Sequence, residues 1–179
     1  MSKNQHTVET PIGSLLFSLS AAGGDIGGVQ ISECNIEPNL PAGMSVEGCK
    51  AVLLRCTPLT PLNDIFFSCS WTELKEAGYG NSGEGLDAWE WKHNKTLVMV
   101  GTEDNEYLGS RVKLKETSSS YYPITMNDNV IKIHIIEFPA NKVLSLHFVI
   151  SWNSIPEKVD SSCWFAVDVP HERVLRECN

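Results

Sequence analysis

Short apolar, β-branched runs broken by turn residues constrain this chain more than any other feature, because that spacing, roughly 8–12 residues from turn to turn, is the pattern of a sandwich or barrel. Val130-Ile131-Lys132-Ile133-His134-Ile135-Ile136 is the densest such run, and side chains branched at Cβ pack well on a pleated sheet. After a short apolar run at Ser14–Ser18, further strands are expected at Ile26–Ile36, Ala51–Cys56, Ile65–Cys69, Ala88–Lys92, Thr96–Gly101, Tyr107–Leu114, Tyr121–Met126, Val143–Trp152 and Cys163–Val169. In Tyr107–Leu114 the residues Leu108, Ser110, Val112 and Leu114 share one face, and the polar turn Thr102–Glu106 before it suggests a hairpin with Leu97–Val100. Asn127-Asp128-Asn129 joins a second hairpin-like pair, and Glu37–Gly48, with two prolines and two glycines, reads as a loop.

Helices are few. Ser70 and Glu73 have capping-box spacing ahead of Leu74–Ala77, with Gly78 as a stop. Pro170 opens a closing helical segment, His171 to Cys178. About ten strands and two short helices, with no regular alternation between them, predict an all-β, antiparallel β-sandwich or barrel-like fold. The length of 179 residues suits one β-rich domain spanning 1–179.

Charge narrows the partners. The net charge is −8; residues 1–110 hold 14 acidic and 6 basic side chains, and residues 111–179 hold 8 of each. An acidic field repels nucleic acid and anionic membranes and steers basic partners inward. Arg111, Lys113 and Lys115 form a small basic group without interleaved aromatics, so neither nucleic acid nor membrane is expected as a partner. The run Leu15-Leu16-Phe17 is shorter than a signal-peptide core of about 7–15 residues, and no run approaches the ~20 residues of a membrane span. A cytoplasmic protein is expected. Its six cysteines, without Cys-x-x-Cys spacing, are then expected as free thiols by default, with Cys56 and Cys69 in the core, while their even number leaves a disulfide open.

Motifs for chemistry are sparse. Gly78-x-Gly80-x-x-Gly83 spells a dinucleotide-binding pattern, but it follows a helix signal and precedes a strand, the reverse of the required context; a flexible surface loop is expected. No nucleophile elbow, His-Glu-x-x-His or P-loop occurs. No catalytic residue, metal ligand or cofactor is assigned. Between Glu84 and Glu106 lie Glu84, Asp87, Glu90, Glu103, Asp104 and Glu106. These carboxylates on one rim would suit a basic protein partner. Trp89 and Trp91 lie on the same face of a strand, where paired indoles serve as core residues or as interface anchors.

The leading expectation is a non-enzymatic, acidic, protein-binding module, in its most specific form an immunity protein that neutralises a basic toxin such as a nuclease. Its partner-binding residues would be Glu84, Asp87, Trp89, Glu90, Trp91, Glu103, Asp104 and Glu106. A lectin-like sandwich using Trp89, Trp91 and Tyr79 as a stacking platform is the second. A hydrolase with a spatially assembled site, or a metal site around His134 and His147 on neighbouring strands, is the third; strand histidines more often face solvent. Val130–Ile136, as an edge strand, could also pair with a second copy to make a homodimer.

Overall fold

A computed structural model describes residues 4–74, 76–83, 85–114, 124–127, 129–154 and 162–179. In chain order the strands are β1 (Gln5–Thr10), β2 (Gly13–Gly23), β3 (Val29–Asn35), β4 (Gly48–Cys56), β5 (Leu62–Trp71), β6 (Tyr79–Gly83), β7 (Leu86–His93) and β8 (Thr96–Glu103). Helix α1 (Asn105–Gly109) follows, then β9 (Lys113–Leu114), β10 (Ile124–Asn127), β11 (Val130–Phe138) and β12 (Leu144–Ser154). Helices α2 (Ser162–Val167) and α3 (His171–Glu177) close the described chain.

The strands form two antiparallel sheets, the sandwich expected from the turn spacing. One runs β1-β2-β5-β11-β10, with β9 also against β11; the other runs β3-β4-β12-β8-β7-β6. Alternating residues of both sheets fill the space between them, among them Phe17, Phe67, Ile133, Val52 and Phe148. The rings of Phe17 and Phe148 meet at 5.4 Å. The turn from β7 to β8 is Asn94-Lys95, with φ of 46° and 64°. Two left-handed residues make the tight loop whose twist matches that of the flanking strands.

The second sheet is covered on both faces. On β12, Leu144, Leu146, Phe148 and Ile150 enter the inter-sheet core, whereas Val149 packs with Ala51, Leu53 and Met99 beneath α2 and α3. That is why Leu144–Ser151 is buried without a break: a strand covered on both sides buries both of its faces. Helix α2 presents Cys163, Ala166 and Val167, the i, i+3, i+4 stripe of a surface helix. A Cβ at Gly101 would sit 2.8 Å from Val167 Cβ, so a glycine is what lets α2 lie on β8.

Several expectations are corrected. Tyr107–Leu114 is not one strand: only Lys113–Leu114 is extended, as β9, and ahead of it Asp104 Oδ1 accepts from the backbone N–H groups of Glu106 at 3.0 Å and Tyr107 at 2.9 Å, which begins α1. Leu108 and Val112 still enter the inter-sheet core, since residues four apart share a helical face as well as a strand face. Within Cys163–Val169 the residues up to Val167 belong to α2, and no strand forms there. The helix expected after Ser70 does not form in residues 72–74 and 76–78, because β5 continues through Trp71. The glycine-rich segment is the edge strand β6, and Gly78 before it is needed because a Cβ there would lie 2.6 Å from the Trp91 indole. Strand β11 is internal, with β5 on one side and β9 and β10 on the other, so the edge proposed for homodimer pairing does not exist.

The cysteines divide. Cys34 of β3 and Cys178 just after α3 form a disulfide, against the expectation of free thiols. Cys49, Cys56, Cys69 and Cys163 are buried thiols outside this bond; burial pushes the Cys49 thiol up to about 12 and Cys56 up to about 11. Among the described residues no helix is long and apolar enough to cross a membrane.

Candidate functional site

The strand alternation that sends Leu144, Leu146 and Phe148 inward turns Ser145 and His147 to the helix-covered face of β12. Glu103, at the end of neighbouring β8, faces the same way as Leu97 and Met99. Over this corner lies the first turn of α3, which begins at His171 after Pro170. Two histidines and a carboxylate that are far apart in sequence therefore converge.

Hydrogen bonds define the state of both rings. His147 Nε2 lies 3.1 Å from the carbonyl oxygen of Val169, which can only accept, so Nε2 carries the proton and Nδ1 offers its lone pair. His171 Nδ1 lies 2.9 Å from His147 Nδ1 and is therefore the donor of that pair. That leaves His171 Nε2 to accept from the Ser145 hydroxyl at 2.9 Å. Both rings are buried and neutral. Burial, then the repulsion a protonated His171 would exert and the Arg111 charge, hold His147 down at about 3; burial, then Arg111, hold His171 at about 4.

Glu103 Oε2 lies 3.8 Å from each Nδ1. Burial raises its pKa, and the Arg111 guanidinium paired with the same oxygen opposes that rise. Arg111 also donates to the Ser145 carbonyl at 3.2 Å. Glu103, His147 and His171 each offer one donor atom, all within 4.8 Å of one another, although the sequence alone assigned no metal ligand. Ser145 does not line the adjoining pocket; its hydroxyl orients His171.

The pocket above this cluster has a volume of about 260 Å³. Its walls include Glu103, Tyr107, Arg111, Asp168 and Glu172 besides the two histidines. Tyr107 stands at 60 % exposure. Its ring lies against Gly85, where a Cβ would meet it at 2.3 Å, so the exposed aromatic rests on a backbone that only glycine permits.

The carboxylates singled out in the sequence go different ways. Glu103, Asp104 and Glu106 come together here: Glu103 at the pocket floor, Asp104 capping α1, and Glu106 exposed on its first turn. Asp87 is only 4 % exposed; burial raises its pKa, Ser82 opposes this by a hydrogen bond, and nearby Asp104 adds to the rise. Glu90 is paired with Lys92 at 3.1 Å. Glu84 lies outside the described residues. Trp89 and Trp91 are 7 % and 1 % exposed within the inter-sheet core, so they offer neither an anchor nor a stacking face. Tyr79 alone of that platform is exposed.

The expected pairing of His134 with His147 does not occur. His134 is on β11 in the other sheet, 2.8 Å from Asp64 and stacked on Phe66. His147 is buried and not solvent-facing; its partner is His171. No local motif marks His171, Asp168 or Glu172, and the one available signal was the helix start after Pro170.

These features define a two-sheet antiparallel sandwich, backed by helices on one sheet, with an acidic pocket over a buried histidine pair. The sequence matches no protein-family model and no curated protein. Among solved structures, a protein from the human microbiome named as a kojibiose phosphorylase is similar over 91 % of this chain, with a TM-score of 0.46 and 9 % identity. The chain spans 22 % of that protein's length, and likeness at this level decides nothing about activity.

Proposed function

We propose that the protein is a non-enzymatic binding module that docks a basic partner protein over the mouth of this pocket. The observation that supports the reading is Tyr107, an exposed aromatic seated on Gly85 with Asp104 and Glu106 on its own helix and Asp168 and Glu172 across the pocket. Among the lining residues the guanidinium is Arg111, and it turns inward to Glu103. Tyrosine is among the residues that most often dominate interface energies, and a rim of one charge sign accelerates encounter with the opposite sign.

The most specific form of the reading is an immunity protein acting on a toxic nuclease. A nuclease must present cationic surface to phosphate, and a carboxylate rim competes for that surface. The disulfide bears on the compartment, because such bonds are uncommon in a reducing cytosol.

Once a partner is recovered from the native source by a salt-eluted pull-down, binding kinetics test the surface. Tyr107→Ala is expected to weaken binding by roughly 30-fold, mostly through faster dissociation, as for an anchor worth about 2 kcal/mol. Glu106→Lys with Glu172→Lys is expected to slow association and flatten its salt dependence while leaving the circular dichroism unchanged. Binding that ignores both sets of changes would place the partner elsewhere on the molecule.

A further inference from the structure

We propose that Glu103, His147 and His171 form a site for one divalent transition-metal ion, zinc above all, at the floor of the pocket. The proposal rests on donor geometry and stands apart from the docking reading.

Zinc bonds imidazole nitrogen at about 2.0–2.1 Å and carboxylate oxygen at about 2.0–2.2 Å, so two ligands of one ion lie at most about 4.2 Å apart. The separations here are 2.9, 3.8 and 3.8 Å. One ion can reach all three atoms with small adjustments of the side chains. The donors are also of a matched kind: two imidazole nitrogens and one carboxylate oxygen suit zinc and its first-row neighbours, whereas calcium and magnesium prefer all-oxygen sets.

The surrounding groups are those a ligating histidine uses. A metal-bound imidazole usually donates its other N–H to a carbonyl or similar acceptor, which fixes the ring. His147 already does so through Nε2 to Val169, leaving Nδ1 toward the site. His171 has the Ser145 hydroxyl at Nε2, and a hydroxyl can accept as well as donate. Metal binding would move the His171 proton from Nδ1 to Nε2, with the Ser145 hydroxyl turning to accept it. Both rings stay neutral and no proton is released. The ion would replace the close contact between the two Nδ1 atoms with two metal–nitrogen bonds.

Charge is consistent with a cation there. Arg111 opposes it and now pairs with Oε2, the oxygen the ion would take, so metal binding would shift the guanidinium to the second carboxylate oxygen of Glu103. Glu172 and Asp104 add negative potential at Glu103. Three protein ligands leave a fourth tetrahedral position, and the pocket provides room for a water or a ligand atom there.

The test uses the full chain stripped by a chelator and titrated with Zn²⁺ in a calorimeter, then with Co²⁺ followed by visible absorption. One ion per chain and a tetrahedral Co²⁺ spectrum are expected. Glu103→Gln and His171→Ala should each weaken Zn²⁺ binding by at least the roughly 10–100-fold typical of outer-shell losses, and Ser145→Ala by about 10-fold. His134→Ala, in the other sheet, should change nothing. Circular dichroism of each variant separates loss of the site from loss of the fold, and Ser145→Ala carries the test if the ligand variants do not fold. Absence of stoichiometric binding to the wild-type chain would overturn the proposal. So would affinity unchanged in every folded site variant, or an affinity that depends on His134.

Discussion

Lowering the pH from 7 to 4.5 is expected to remove about 5 kcal/mol of folding free energy through His147 and His171 alone. An unfolded histidine titrates near 6.5, whereas the folded chain holds these two at about 3 and about 4. Above 6.5 both states are neutral and the stabilisation is complete. As the pH falls below 6.5 the unfolded chain takes up two protons that the folded chain refuses, at about 1.4 kcal/mol per pH unit for each group. Two units of pH below 6.5 therefore cost roughly 2–3 kcal/mol apiece. Glu103 and Asp87, whose pKa values are raised, act in the opposite direction and soften the loss. Glu33 is lowered, with burial opposing the hydrogen bonds and charges of Lys50 and His6, and its contribution fades as acid protonates it. Small domains have only about 5–15 kcal/mol in total, so unfolding near pH 4.5 should need little denaturant. Urea midpoints at pH 7, 6, 5 and 4.5 check this, and His171→Asn should flatten the dependence. A midpoint that stays level from pH 7 to 4.5 would mean that the two rings are not buried together.

Removal of the disulfide is the other large effect. Cys34 and Cys178 are 144 residues apart, and closing so long a loop restricts the unfolded chain by about 5 kcal/mol in the chain-entropy account. The double variant Cys34→Ser, Cys178→Ser is expected to lose about 2–5 kcal/mol, the range seen when native bonds are removed. The site should suffer too. The bond holds the C-terminal end of α3, and His171 is that helix's first residue. Val174 and the hydrogen bond from Arg173 to the Glu37 carbonyl tether the rest. Denaturant curves of the wild type with and without reductant, beside the double variant, check this. Curves that coincide within about 1 kcal/mol would show that the bond contributes nothing.

The strands were legible because their signal is local. Val130–Phe138, Ala51–Cys56 and the stretch around Thr96–Gly101 repeat every second residue or run apolar throughout, and each is a strand. Two segments misled for a physical reason. In Tyr107–Leu114 the pair Leu108 and Val112 satisfies both a period of two and a spacing of four, and the Asp104 cap decided for the helix. In Cys163–Val169 a short apolar run was compatible with either state until α2 laid Cys163, Ala166 and Val167 on the sheet. The tryptophan pair showed its shared face in the sequence, but not which face the other sheet would cover.

The candidate site was half visible. Glu103, Asp104 and Glu106 stood in one acidic stretch, and Glu103 does line the pocket, with Asp104 capping α1 and Glu106 on its first turn. His171, Asp168 and Glu172 carried no pattern, because they reach the pocket through the path of α2 and α3 across the second sheet. His147 was noticed, but its partner was assigned to a strand that belongs to the other sheet.

By itself the sequence determined what depends on neighbours along the chain: alternating strands, their turns, the closing helix and an acidic first part. Packing decided the rest. Which sheet holds β11 and which β12, which cysteines meet, and which histidine faces His147 are all set by contacts between residues distant in sequence, and periodicity carries no information about them. The buried, neutral histidine pair beside Glu103 exists only because β8, β12 and α3 come to the same corner.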